Sequence, residues 1–272
     1  MKKELIIKII MIIAILLVIA GIGFVSYGIY QKVTRKIPNP VATIEVQDYG
    51  TIKVELYPDQ APNTVTNFIA LANRGYYNGK TFHRVIPGFM IQGGAKNEDG
   101  TGAPTLDDLK GNGDTSSYAI KGEMFANNYT KNKIKMEKGV IAMAQTDYTN
   151  ISSSLITENY NSACAQFFIM HEDNLQISGM YTGFGKVIEG MDVVDKIVNT
   201  EVTYRSSELG ENEEAPKDEN GNTLKADMPI NKPVITSISV ETYGVNYGEP
   251  ETQEPFNYYN YLMQYYSSSL GE

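Results

Sequence analysis

Twenty-one consecutive residues without a charge, Ile9 to Ile29, constrain this chain more than any other feature. At ~1.5 Å of rise per residue they make a helix about 30 Å long, the thickness of a bilayer's hydrocarbon core. The run is apolar on every side, so it has no wet face to leave outside a protein core. The sequence therefore predicts a short flank over 1–8 and a transmembrane signal anchor over 9–30. A cleaved signal peptide is the competing reading. The length of the run and the lack of a clear small-x-small cleavage site favour the anchor, and no cysteine stands directly after it for a lipid to modify. Three basic residues stand on each flank (Lys2, Lys3, Lys8 and Lys32, Arg35, Lys36), so the positive-inside count is balanced. A short N-terminal flank ahead of a large folded domain most often leaves the N-terminus in the cytosol. The expectation is a single-pass protein of the cell membrane with residues 37–272 on the extracytoplasmic side.

The chain beyond the anchor has to fold in water. Residues 31–40, QKVTRKIPNP, read as a linker kept extended by two prolines. Beyond residue 36 there are 17 basic and 31 acidic residues, a net charge of −14, so phosphate backbones are repelled and nucleic acid is not an expected partner. A single cysteine, Cys164, rules out an internal disulfide and a cysteine-based zinc site. Two histidines, His83 and His171, leave little for a His-rich metal centre. Neither metal nor cofactor is expected.

From Val41 the apolar period is two. Ala42, Ile44 and Val46 alternate with polar residues, Asp48-Tyr49-Gly50 makes a turn, and Ile52, Val54 and Leu56 alternate again, which predicts an antiparallel hairpin with one buried face. The period then changes. Pro62 suits a first helical turn, Val65, Phe68, Ile69 and Ala72 share one face, and Gly75 can end the helix. A second helical pattern holds Met191, Val194 and Val198, after Gly190. Short strand-like runs cover Thr81–Val85, Phe89–Gln92, Val140–Ala144, Gln166–Met170, Gly183–Val187 and Val234–Glu241. Many short strands with few helices predict a mainly β domain, a barrel or a sandwich. Asp147–Asn161 and Glu208–Asp227 read as polar surface loops. The second contains Asp218-Glu219-Asn220-Gly221-Asn222, faintly like a calcium loop, but its glycine is at the wrong offset and Pro229 replaces the closing glutamate. Residues 244–272 are acidic and Tyr-rich without a sustained apolar period, which predicts a flexible tail.

The most informative stretch is Phe82-His83-Arg84-Val85-Ile86-Pro87-Gly88-Phe89-Met90-Ile91-Gln92-Gly93-Gly94. It resembles the cyclophilin family of peptidyl-prolyl cis/trans isomerases. Support comes in the same order from Gly139-Val140-Ile141-Ala142-Met143-Ala144, from Ala165-Gln166-Phe167-Phe168-Ile169 and from Tyr181-Thr182-Gly183-Phe184-Gly185-Lys186-Val187. Residues 41–75 and Lys121-Gly122-Glu123-Met124-Phe125 fit as well, so the resemblance spans 41–243. It implies a closed eight-stranded antiparallel β-barrel capped by two α-helices. Its partners would be proline-containing unfolded or nascent polypeptides.

The chemistry can be argued from the residues. An X-Pro bond has partial double-bond character and a rotation barrier of ~18–20 kcal/mol. Twisting it removes resonance and makes the prolyl nitrogen more basic. A fixed donor aimed at that nitrogen stabilises the twisted state above either planar one, which is the condition for catalysis. A guanidinium suits the task, being rigid and always charged. By their matching family positions, Arg84 is the donor, with Gln92 orienting it and binding a substrate carbonyl. Phe89, Met90 and Phe168 would hold the proline ring. Ala144, Gln145 and Gln166 would position the chain, and Ile177 and Tyr181 would close the edge. Phe89 and Met90 are adjacent, so a regular strand would point them to opposite faces, and their joint role demands a bend.

Taken singly, these residues have plainer readings. Phe82, Val85, Ile86, Phe167 and Ile169 are core residues, Phe89, Met90 and Phe168 could join them, and Arg84 alone would be a surface ion pair. His83 reads as a hydrogen-bonded structural residue, Cys164 as small packing, and His171 has no role. Several positions depart from the best-known family members. Gln145 stands where Asn is usual and Tyr181 where many have His. Gln176 and Ile177 stand for Trp and Leu, which implies weak cyclosporin binding. The 145–161 loop is about a dozen residues longer than in compact members. The expected function is isomerisation that assists folding of exported or membrane-associated proteins. The alternatives are a proline-peptide binding module using the same groove, or an anchored chaperone with little turnover.

Overall fold

The computed structural model describes residues 2–34, 37–210 and 213–269. It divides after Pro38 into two units. The first holds a single helix, α1 (Lys2–Thr34). Within it Lys3–Tyr27, whose most apolar 18-residue window has a mean hydropathy of 3.2, is long and apolar enough to cross a bilayer. Large apolar side chains lie exposed all round it, from Leu5 to Tyr27. The helix overruns the expected 9–30 span. Both Lys2–Lys8 of the flank and the start of the linker, Gln31–Thr34, are helical, because no proline or glycine interrupts them, and Met1 lies outside the described residues. Arg35 and Lys36 of that linker lie outside the described residues. Ile37–Pro40 carries no regular structure.

The second unit is built on eight antiparallel strands. The predicted hairpin is β1 (Val41–Val46) and β2 (Gly50–Leu56), with Asp48 and Gly50 at φ +64° and +121° making its turn. Burial alternates residue by residue in both strands. Helix α2 (Pro62–Asn73) comes next, and then β3 (Phe82–Ile86) and β4 (Met90–Gly93). Two five-residue helices, α3 (Leu106–Lys110) and α4 (Ile156–Tyr160), flank β5 (Val140–Met143). The chain continues through β6 (Phe167–Met170), β7 (Gly183–Glu189), α5 (Met191–Val198) and β8 (Ile235–Glu241). The strands pair in the order β3-β4-β6-β5-β7-β2-β1-β8.

The expected closed barrel is only partly formed by strand pairing. The regular ladder ends at β3 and β8, and these edges meet in one isolated bridge, Thr81–Val234. Around it Gly79 N donates to Ile235 O (2.8 Å), Ile235 N to Lys80 O (2.7 Å) and Phe82 N to Pro233 O (2.9 Å). Further along β3, Val85 N donates to Asp227 O at 2.9 Å. A full ladder is interrupted here because Pro229 and Pro233, before β8, have no N–H to donate. The sheet is a curled half-barrel stitched by these contacts.

The sheet interior holds the main core, with Ile44, Ile52, Phe68, Tyr77, Phe82, Ile91, Phe167, Ile169 and Phe184 among its buried members. Phe68 and Phe167 pack edge to face at 5.8 Å. Helix α2 covers one opening. Ala61 and Pro62 give its first turn no capping side chain, and a carboxylate from a distant loop does the work instead. Glu123 Oε1 accepts from Asn63 N (3.1 Å), and Oε2 accepts from Thr64 N (2.8 Å) and Thr64 Oγ1 (2.7 Å). A negative charge there also opposes the positive end of the helix dipole. Helix α5 buries Val193, Val194, Ile197 and Val198.

Two stretches without an apolar period carry regular structure. Within Asp147–Asn161, residues Ser153–Leu155 form a 3-10 turn and Ile156–Tyr160 form α4, with Leu155 and Asn159 buried. The tail is tied down as far as Phe256. Gln253 forms an antiparallel bridge with Ala119, Asn63 and Glu251 exchange hydrogen bonds of 2.9 and 2.7 Å, and the Phe256 ring sits 4.7 Å from that of Tyr148. Tyr258–Ser269 then coils as α6. These contacts are single rings and backbone pairings, which leave no period in the sequence. Residues 270–272 lie outside the described residues, as do 211 and 212 of the acidic loop. In that loop Asp218 accepts from Asn220 N, Asn222 N and Asn222 Nδ2, a self-contained turn.

Candidate active site

Strand register gathers the centre of the site. Residues paired across neighbouring strands point to the same face, with Cβ atoms about 4.5–5.5 Å apart. Arg84 of β3 pairs with Gln92 of β4, Gln92 with Phe168 of β6, and Phe168 with Ala142 of β5. This row lies on the outer face. Its neighbours in sequence, Val85, Ile91, Phe167 and Ile141, point inward to the main core. The outer face is itself covered, by a second apolar cluster of Met90, Met136, Val140, Ala142, Phe168 and Met170. Ile86, Phe89, Ile134, Ala144, Ile177 and Tyr181 pack round it. Two covered faces explain why Phe167–Met170 and Val140–Met143 are buried at every position.

An opening of about 110 Å³ in this cover is lined by Arg84, Phe89, Met90, Gln92, Ala144, Gln145, Phe168 and Tyr181. Eight of the ten residues singled out in the sequence thus meet in one cavity. Phe89 and Met90 both reach it because Phe89 is not in the strand. Pro87 and Gly88 (φ +77°) occupy the centre of a turn closed by Phe89 N donating to Ile86 O at 3.0 Å. His171, which the sequence left without a role, fixes that turn. Its Nδ1 accepts from Gly88 N (3.0 Å), its backbone N donates to Phe89 O (2.8 Å), and its Nε2 faces Asp195 Oδ1 at 3.3 Å.

Arg84 is exposed at the lip and has no ion pair among the described residues. Gln92 Nε2 donates to Gln166 Oε1 at 3.0 Å, and Gln166 Nε2 donates to Gly100 O at 3.1 Å. Gln166 is therefore not in the cavity wall but orders the amide beside Arg84. Ile177 likewise stands behind the wall. Tyr181 meets the Phe168 ring edge to face, 5.2 Å apart at 88°. Burial raises the Tyr181 pKa, the charge of Asp147 adds to this, and Arg84 opposes it. The phenol is thus a neutral donor. Ala144 N already donates to Gln166 O (2.9 Å), and Gln145 Nε2 donates to Met180 O (3.1 Å). These two groups brace the rim.

The neighbouring histidine takes no part. His83 is buried behind Gly100, and burial lowers its pKa to about 4, so it is neutral near pH 7. Burial pushes the Cys164 thiol up to about 11, leaving it protonated and inert. Cys164 does line a second hollow of about 320 Å³, with Gly100, Thr101, Tyr148, Gln166 and Pro255. The contribution of Tyr148 and Pro255 had no signal in the sequence, since both come from stretches with no apolar period.

The fold and site define a small cavity walled by Phe89, Met90 and Phe168, with the Arg84 guanidinium at its lip and side-chain amides beside it. A family model described as cyclophilin type peptidyl-prolyl cis-trans isomerase/CLD matches residues 41–220. Peptidyl-prolyl cis-trans isomerase B of Bacillus subtilis (strain 168) is 38% identical over 157 residues, covering 58% of this chain and 90% of the relative. A probable peptidyl-prolyl cis-trans isomerase of Brucella suis biovar 1 (strain 1330) is 36% identical over 187 residues, covering 66% and 83%. Among solved structures, a Cryptosporidium parvum cyclophilin type peptidyl-prolyl cis-trans isomerase in the presence of the dipeptide Ala-Pro superposes with a TM-score of 0.52 at 25% identity. That match covers 74% of this chain and 98% of the other. The chain belongs to the cyclophilin-type peptidyl-prolyl cis-trans isomerase family, and it is an enzyme of that activity.

Proposed function

We propose that this isomerase works at a membrane surface, on prolines in unfolded or newly exported chains, with Arg84 as the donor to the prolyl nitrogen. The observation that carries the reading is that Arg84 shares one cavity with Phe89, Met90 and Phe168. The ring of a substrate proline enters among these three side chains and is held by contact alone. Its amide then lies at the lip, within reach of the guanidinium and of the Gln92 amide. As the bond twists, the nitrogen gains a lone pair, and the guanidinium N–H strengthens its hydrogen bond to that atom. Gln92, itself fixed by Gln166, keeps the donor aligned and receives the carbonyl on the other side. No covalent bond is made, so the surroundings need only favour the twisted state over both planar ones. Binding of proline peptides is supported by the Ala-Pro dipeptide in the related Cryptosporidium structure's description.

The membrane part of the reading is supported by α1, whose apolar stretch Lys3–Tyr27 matches a bilayer in length. An anchor would hold the enzyme where segments emerge from the membrane, with the isomerase domain on the extracytoplasmic side.

Full-length protein in detergent micelles, assayed on an Ala-Pro peptide, tests the chemistry. Arg84→Ala is expected to lower kcat/KM by about 10²–10³, the loss typical of one preorganised donor. A loss of less than threefold removes Arg84 from the mechanism. Protease added to intact cells tests the topology, and full protection of the domain would overturn its extracytoplasmic placement.

A further inference from the structure

The stretch Asp147–Asn161 builds a hollow of its own beside the proline cavity. Its ends are tied together. Asp147 Oδ1 accepts from Thr149 N (2.9 Å), Thr149 Oγ1 (2.5 Å) and Asn159 Nδ2 (3.0 Å), while Asn159 Oδ1 accepts from Tyr148 N (2.6 Å). Asn161 Oδ1 roots the base through Gly122 N and Asn127 Nδ2. The segment is thus held as a fixed wall, and its polar side chains are largely spent on one another.

Between this wall and the strip Ile177–Tyr181 lies a hollow of about 350 Å³, three times the proline cavity. It adjoins that cavity, since Gln145 and Tyr181 line both. Half of its lining residues are apolar or aromatic. Ile156 is 40% exposed and Met180 47%, facing the hollow with Ile177 and the Tyr160 ring. The apolar surface extends past the rim, where Phe125, 67% exposed, packs over Gly179. Contiguous exposed apolar surface beside a functional cleft marks a place that something covers.

We propose that this hollow is a second subsite, which takes a large apolar side chain from the same polypeptide whose proline occupies the first cavity. The proposal rests on the isomerase reading above. The two shared lining residues set the hollow directly beside the proline cavity, where the next part of the same substrate chain lies. An extended chain advances about 3.3 Å per residue, so a neighbouring hollow is reached two or three residues from the proline. The apolar wall and the internally satisfied Asp147 select an aliphatic or aromatic side chain over a charged one. Such residues are exposed beside prolines in unfolded chains and buried in folded ones, so the subsite turns a general proline site into a detector of unfolded segments.

The test uses full-length protein in detergent micelles and peptides with a central Ala-Pro, monitored by NMR exchange, which needs no coupling protease. Ala, Leu, Phe, Glu or Lys is placed in turn two or three residues to either side of the proline. Leu or Phe at one of these positions is expected to raise kcat/KM about tenfold over Ala, mainly through KM, while Glu and Lys do not. Ile156→Ser and Met180→Ser are expected to bring the Leu-to-Ala ratio close to one, each variant's own Ala-peptide rate being the denominator. Both side chains are exposed, and melting curves check that folding is retained. A flat series in the wild type, a larger gain with Lys than with Leu, or a ratio unchanged in both variants overturns the subsite. Absence of turnover on every peptide would instead overturn the isomerase reading itself.

Discussion

Removing the carboxylate of Glu123 should loosen the domain at α2, and the size of the effect can be worked out. Glu123 is 6% exposed and Thr64 0%, so water cannot replace the acceptor at Thr64 N. One buried N–H left unsatisfied costs about 1–3 kcal/mol. Asn63 N is nearer the surface and recovers water. Losing the charge at the helix N-terminus adds about 0.3–1 kcal/mol. The Thr64 hydroxyl can turn to another acceptor, at a cost of about 1 kcal/mol or less. Together these place Glu123→Ala about 3 kcal/mol below the wild type. For a domain of this size each kcal/mol moves Tm by about 2–4 °C, so a drop of about 6–12 °C is expected. Glu123→Gln keeps the shape and one acceptor oxygen and should lose about half as much. Thermal melts of the full-length protein in detergent, read by tyrosine signals, give the answer, since the chain has 19 Tyr and no Trp. A drop under 2 °C for Ala, or equal drops for Ala and Gln, would refute the capping argument.

Gly88 and Gly113 separate backbone strain from site geometry, because both have positive φ (+77° and +79°) and open space where a Cβ would go. Alanine at either should cost about 1–2 kcal/mol, but only Gly88→Ala, which re-aims Phe89, should lower kcat/KM, by about tenfold. Equal activities in the two variants would count against the turn's role. The low pKa of His83 predicts a stability that depends on pH in one window. Between about pH 6.5 and about 4 the unfolded chain takes up a proton that the folded one refuses, so stability falls as pH falls through that window. The slope approaches about 1.4 kcal/mol per pH unit. Urea titrations at a series of pH values should show this component vanish in His83→Gln, and an unchanged profile would contradict it.

Much of the fold was legible in the sequence for a physical reason. Strands with one wet face announce themselves by alternation, as β1 and β2 do, and α2 by its 3.6-residue spacing. The run Phe82–Gly94 carries the family resemblance, so its site residues could be named together, while the turn between its two strands could not be read from alternation. The features that could not be read depend on partners far apart in the chain. His171 orders a turn more than eighty residues earlier, Glu123 caps a helix it does not belong to, and Gln253 pairs with Ala119 through backbone atoms that any residue carries. The closed barrel was an overstatement of the same kind, because how far β3 and β8 pair depends on prolines outside both strands.

Strand β1 lies between β2 and β8, and its partner Glu241 opposite Val41 is 200 residues downstream. At about 5–20 residues per second of translation, roughly 10–40 s separate the two. Throughout that interval the hairpin offers a bare edge, with the row Ala42, Ile44 and Val46 lacking its last neighbour. The enzyme that handles other proteins' slow steps is therefore, during its own synthesis, a chain with a sticky unfinished margin. Its ribosome delivers the closing piece only about 200 residues after the edge that piece covers.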